Sequence, residues 1–179
     1  MKKVILAIVF FIIGVSMSFA DEKFILKSNT IKDNAFISNE QVYNGYGCKG
    51  ENISPDLSWS NTPSNTKGYA IIMHDPDAPT PGGWYHWVVV NIPASKTNLK
   101  KGEVIAAPAI SCKTSFKTES YGGPCPPIGH GRHRYIFTVF ALDAPKLSVE
   151  PGLAPDKVES IIKQHVLASA SITAYYERK

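Results

Sequence analysis

The chain has 179 residues, of which 44% are hydrophobic and 19% charged, a composition that suits one packed domain and argues against disorder. Its formal charge is only +4 and no block of Lys and Arg stands out, which argues against nucleic acid as a partner. Its three cysteines, Cys48, Cys112 and Cys125, show no C-x-x-C spacing, which argues against a zinc knuckle or a thioredoxin-like centre.

Residues 1–20 are set apart from the rest. Lys2 and Lys3 precede an apolar stretch from Val4 to Val15, and Ser18 and Ala20 put small residues before Asp21. That is the plan of a secretory signal peptide cleaved before Asp21. The apolar stretch is short for a span of about 20 residues, so no membrane span is expected after cleavage. The expected domain is 21–179, periplasmic or secreted. Three cysteines in such an oxidising compartment allow at most one internal bridge.

The first strand is expected at 23–28, "KFILKS", where apolar and polar residues alternate. A Gly-rich stretch follows at 43–59, "YNGYGCKGENISPDLSW". The segments 68–75, "GYAIIMHD", and 84–92, "WYHWVVVNI", are rich in β-branched and aromatic residues and predict strands. The second is apolar on both faces at Val88, Val89 and Val90. Between them lies "PDAPTPGG", 76–83, where each X-Pro step holds the preceding residue out of the helical region and stiffens the loop. Alternation through 84–87 puts Tyr85 and Trp87 on one face and Trp84 and His86 on the other. A second Pro-Gly stretch, "YGGPCPPIGHGRH", leads into a strand at 134–142, "RYIFTVFAL". A helix is predicted over 154–170, "APDKVESIIKQHVLASA", with Pro155 near its start, Asp156 and Glu159 at its positive end, and Val158, Ile161, Ile162, His165 and Val166 on one face. A last strand is expected at 171–178. Strands dominate, so the fold class is mainly β with peripheral helices, in an antiparallel arrangement.

Two strand entries each deliver a histidine behind a Pro-Gly loop. His133 and Tyr135 share a face of their strand, and Arg134 takes the other. If the strands are neighbours, Asp75, His86, His133 and Tyr135 converge. Imidazoles, a phenol and the N–H groups of a glycine turn make a concavity suited to phosphate or carboxylate. Other readings of the same residues stay open. Asp75 and Asp77 also suit Asx turns, a metal could be held by His86, His133 and Asp75, and Cys125 lies near His133. There is no G-x-S-x-G elbow for a serine nucleophile.

The segments 75–93, "DPDAPTPGGWYHWVVVNIP", and 121–142, "YGGPCPPIGHGRHRYIFTVFAL", resemble the two signature segments of the phosphatidylethanolamine-binding proteins, also called Raf kinase inhibitor proteins. With 44–59 and 161–178 the likeness follows the bacterial branch over nearly the whole chain after residue 20. The resemblance implies a large antiparallel sheet packed with a smaller sheet and peripheral helices. It implies a surface cavity for a small anionic ligand, such as phosphate, phosphorylethanolamine or a carboxylate, with no catalysis, cofactor or metal. The matching positions are Asp75, Asp77, Pro79, His86, Gly123, Pro124, Pro127, His133 and Tyr135. They imply His86, His133 and Tyr135 as donors to the anion, Asp75 as an orienting group, and Pro79 and the second loop as walls. Cys48 and Cys125 lie in matching segments, so a single bridge is expected to join them. Nothing after residue 142 is assigned to the site. The family's eukaryotic members suggest an alternative, a modulator or inhibitor of a protein partner, and a His/Asp-dependent phosphoester hydrolase is a third reading.

Overall fold

The computed structural model describes residues 22–179. The signal-peptide reading of residues 1–20 lies outside the described residues. The elements in chain order are β1 Ile25–Lys27, β2 Asn44–Gly45, β3 Cys48–Lys49, β4 Leu57–Ser60, β5 Gly68–Asp75, β6 Trp84–Pro93, β7 Asn98–Leu99, β8 Ile110–Ser111, β9 His133–Leu142, α1 Pro155–Lys163 and β10 Val166–Tyr176. Strands β10, β9, β5, β6 and β8 form one antiparallel sheet in that order, β1, β4 and β7 form a three-stranded sheet, and β2 and β3 form a hairpin. The fold is mainly β, with several antiparallel sheets and one α-helix among the described residues.

The large sheet is buried on both faces because β5 and β6 carry apolar residues at nearly every position. From β5, Tyr69, Ile71 and Met73 join a core with Leu26, Leu57 and Trp59 of the small sheet. Ala70 and Ile72 face the other way, against Val158 and Ile162 of α1 and Leu147. Fully burying a side chain such as Ile162 is worth about 2 kcal/mol, and that burial holds a nine-residue helix too short to persist alone. Glu159 adds a clasp by accepting from the Tyr85 hydroxyl across the helix–sheet junction.

The sequence predicted a helix to residue 170, but α1 ends at Lys163. Residues 166–170 belong instead to β10, which pairs with β9 from Val166↔Leu142 to Tyr176↔His133. "ASASITAY" alternates small, polar and apolar side chains with period two, and ladder pairing along the edge of a formed sheet overrides the helix preference of its alanines. His165 is therefore beyond the helix, where its Nδ1 bonds the Asp143 carboxylate at 2.8 Å.

Strand β6 is not regular. Met73 pairs with Trp87 but the next residue, His74, pairs with Tyr85, so His86 is the extra residue of a β-bulge. A second irregularity lies between the Tyr69↔Ile92 and Ile71↔Val89 pairs, where Asn91 has φ 59°.

Candidate functional site

The bulge decides where the histidine goes. Simple alternation would place Tyr85 and Trp87 on one face. Instead Trp87 packs in the core shared with the small sheet, and Tyr85 packs on the helix side. The extra residue lets His86 leave the helix side and reach Tyr135, with ring centroids 5.2 Å apart. The expected pairing of Tyr85 with Trp87 is thus overturned, and the reason is the bulge. Trp84 and His86 do lie together, and both meet the ring of Phe116 edge-on.

The loop 121–127 stands directly behind His86. The Gly122 N–H donates to the His86 carbonyl at 2.9 Å, and His86 Nδ1 meets the Gly122 carbonyl at 2.7 Å. A carbonyl only accepts, so Nδ1 carries the proton. The ring of Phe116 lies 2.6 Å from where a Cβ on Gly122 would stand. Gly123 is tighter still, since its Cβ would lie 1.9 Å from the Gln41 carbonyl oxygen. These two glycines let the loop press against residues 41–43 on one side and Phe116 on the other.

At the start of β9, His133 Nδ1 donates to the Asp75 carboxylate at 2.8 Å, with both side chains buried. The other Asp75 oxygen accepts the Asp77 N–H at 2.9 Å, an Asx turn that sets the loop 76–83. The structural and functional readings of Asp75 therefore hold together: one carboxylate shapes the loop and orients the imidazole.

These pieces enclose a cavity of about 300 Å³. Asp75, Pro79, His86, Pro127, His133 and Tyr135 line it. The other three residues that the sequence assigned to the site do not. Asp77 sits at the rim, where Arg134 grips its carboxylate with Nε at 2.9 Å and Nη2 at 2.6 Å, and that guanidinium holds the Asp77 carboxyl below its ordinary pKa. Gly123 and Pro124 lie behind the wall, and the Pro124 carbonyl takes the Tyr43 N–H at 3.1 Å.

The lining also includes Tyr46, Trp84, Phe116 and Arg178, which the sequence reading did not assign. Phe116 is an isolated aromatic in a polar run, and its use shows in its contacts: it stacks on Tyr43, with centroids 4.5 Å apart, and takes Trp84 and His86 edge-on. Arg178 follows the last strand. Its Nη1 reaches the carbonyls of Tyr46 and Pro126 at 3.4 and 3.3 Å and Cys125 Sγ at 3.6 Å. Among the described residues it has no carboxylate partner. The structure joins Cys48 to Cys125 by a disulfide, which ties the β2–β3 hairpin to the cavity wall, and leaves Cys112 as a buried free thiol.

Electrostatics define what this cavity offers. Burial pushes the His86 pKa down to about 4, against weaker upward pulls from the Gly122 carbonyl and Asp75. With Nδ1–H committed to Gly122, neutral His86 has only the Nε2 lone pair left, so it is an acceptor at neutral pH and not the donor the sequence suggested. The Tyr135 hydroxyl is fully buried and makes no well-formed hydrogen bond among the described residues, although the Asp75 carboxylate stands close by. Burial, then the Asp75 charge and a loose hydrogen bond toward that carboxylate, push its pKa up, so it stays protonated and able to donate. Among the described residues no group of three His, Cys, Asp or Glu side chains is placed to hold a metal ion.

Comparison with known proteins places this geometry in context. The family model described as phosphatidylethanolamine-binding protein matches residues 27–177. YbhB of Escherichia coli is 43% identical over 156 residues, which is 84% of this chain and 98% of YbhB. The crystal structure of Escherichia coli YbcL, described there as a new member of the mammalian PEBP family, superposes with a TM-score of 0.85 at 39% identity, over 88% of this chain and 99% of YbcL. A chain from Chlamydia trachomatis, described as a phosphatidylethanolamine-binding protein homologue, superposes with a TM-score of 0.75 at 31% identity, over 88% of this chain and 99% of that one.

Proposed function

The chain belongs to the phosphatidylethanolamine-binding protein family, and from that premise we propose that it is a small-ligand-binding protein whose cavity takes a phosphate- or carboxylate-bearing group without turning it over. The observation that carries this reading is the Tyr135 hydroxyl. A buried donor without a well-formed hydrogen bond costs about 1–3 kcal/mol, and this one lies beside Asp75 on the lining of a cavity where a ligand oxygen could take its proton instead. Arg178, which has no carboxylate partner among the described residues, suits a negative ligand. The leader-like residues 1–20 and the Cys48–Cys125 bridge support a periplasmic or secreted setting.

Calorimetric titration with phosphorylethanolamine tests the reading. Binding is expected in the wild type and is expected to weaken at least tenfold in His86→Ala and His133→Ala. No binding, or unchanged affinity in both variants, would contradict it. Phosphoester turnover that disappears in the same variants would favour the hydrolase instead. A modulator of a protein partner is the second reading, supported by the exposed Tyr46 at the cavity and Ile128 just beyond Pro127. Co-purification of one periplasmic or extracellular protein, lost in Tyr46→Ser with Ile128→Ser, would establish it.

A further inference from the structure

We propose that the cavity selects anions that carry an acidic proton, phosphomonoesters in their monoanionic form, over phosphodiesters, sulfates and carboxylates of equal charge. This rests on the anion-binding reading and adds to it the protonation state and ester class of the ligand. The determinant is His86. Its Nδ1–H is held by the Gly122 carbonyl at 2.7 Å, and the backbone on either side of that contact is locked by the reciprocal Gly122 N–H to His86 carbonyl bond. The ring therefore cannot exchange its two nitrogens without breaking a buried hydrogen bond, and it is shut in by Phe116 and Tyr135 on the lining. What it presents is a lone pair.

A lone pair in a buried cavity asks for a donor. A phosphomonoester monoanion supplies one P–OH and keeps its remaining oxygens for Tyr135 and Arg178. A phosphodiester, a sulfate ester or an ionised carboxylate brings only lone pairs, which would face that of His86 with no proton between them. Protonating His86 would remove the conflict, but burial disfavours the imidazolium. The charged and titratable groups around it are Asp75 and His74 from β5, His133 and Tyr135 from β9, and Arg178 from the tail. Asp75 is the one of these that favours an imidazolium, and its carboxylate is already engaged by His133 and the Asp77 N–H. Phosphate chemistry at this site could come from a free monoester or from a lipid headgroup. An intact glycerophospholipid headgroup is a diester, so the geometry assigns the site to the free monoester.

The test is calorimetric titration of the full protein at pH 5.5 with methyl phosphate, dimethyl phosphate and methyl sulfate. All three are predominantly singly charged there, since the second phosphate pKa is about 6, and only the first has a proton to give. Methyl phosphate is expected to bind about 10- to 100-fold more tightly than the other two. Its affinity should fall as the ester loses its proton, by about 100-fold between pH 5.5 and pH 8. Phosphorylethanolamine against glycerophosphorylethanolamine repeats the monoester–diester comparison with the same ammonium group and separates the two sources. In His86→Gln, whose amide can donate or accept, the preference should shrink toward equality. Equal binding of the three anions, or an affinity for methyl phosphate that does not fall with pH, would overturn the assignment. If all three bind alike and all weaken in Tyr135→Phe, the anion site stands and the role given to His86 falls. If none binds, the anion site itself is wrong.

Discussion

Strand β6 carries two buried polar side chains at its two irregularities, and the protein treats them in opposite ways. Asn91 closes on itself: its carbonyl oxygen accepts the Leu147 N–H at 2.7 Å and its amide lies 3.4 Å from the Leu147 carbonyl. His86 closes only half of itself, with Nδ1 on Gly122, and its other nitrogen is left on a cavity beside a hydroxyl that makes no well-formed hydrogen bond. The same contrast separates two buried tyrosines. Tyr121 donates to the Gln41 carbonyl at 2.9 Å, whereas Tyr135 makes no well-formed hydrogen bond among the described residues and has only the Asp75 carboxylate close by. A polar group whose capacity is used up inside the fold is a structural device, because removing it strands its partner. One with spare capacity facing a cavity lowers stability, and a bound ligand could recover that cost.

The largest effect is expected from the crosslink at the cavity end. Replacing Cys48 and Cys125 together by Ser releases a loop constraint spanning 77 residues, and denaturant unfolding should show a loss of about 4 kcal/mol. Next is pH. His86 has a folded pKa of about 4, below its ordinary value near 6.5, so the unfolded chain takes up the proton first as pH falls. Stability should therefore decline from pH 6.5 to pH 4 by about 3 kcal/mol on account of this one group. In His86→Asn that part of the slope should vanish, and an unchanged slope would show that the ring is not held neutral. Asn91→Ala leaves the buried Leu147 backbone groups unpaired and should cost about 2 kcal/mol in thermal unfolding, with ligand affinity unaltered. A loss of affinity there would mean the two irregularities are not independent. Tyr121→Phe should cost about 1 kcal/mol, again with affinity intact.

The parts of this molecule that were legible in the sequence are those set by local chemistry. β-branched and aromatic runs marked β5, β6 and β9, and Pro155 with Asp156 marked the start of α1. Period-two alternation correctly put His133 and Tyr135 together and Arg134 opposite. What escaped was set by partners distant in the chain. The end of α1 depends on β9, whose exposed edge captures residues 166–176. The bulge at His86 depends on how β5 registers against β6, and no residue of "WYHW" announces it. Phe116 and Arg178 reach the cavity from a loop and a terminal segment with no periodic pattern, so only their contacts reveal them. Asp77 stood beside Asp75 in the motif, yet its work is to hold Arg134 at the rim.

The most direct test of the contrast is Tyr135→Phe, measured twice, by thermal unfolding without ligand and by titration with phosphorylethanolamine. Removing a hydroxyl that makes no well-formed hydrogen bond should leave the unliganded protein as stable as the wild type or up to about 1 kcal/mol more stable. Affinity should fall about tenfold, the worth of one hydrogen bond to a charged group. A variant that is clearly less stable, with wild-type affinity, would show that the hydroxyl serves the fold and not a ligand.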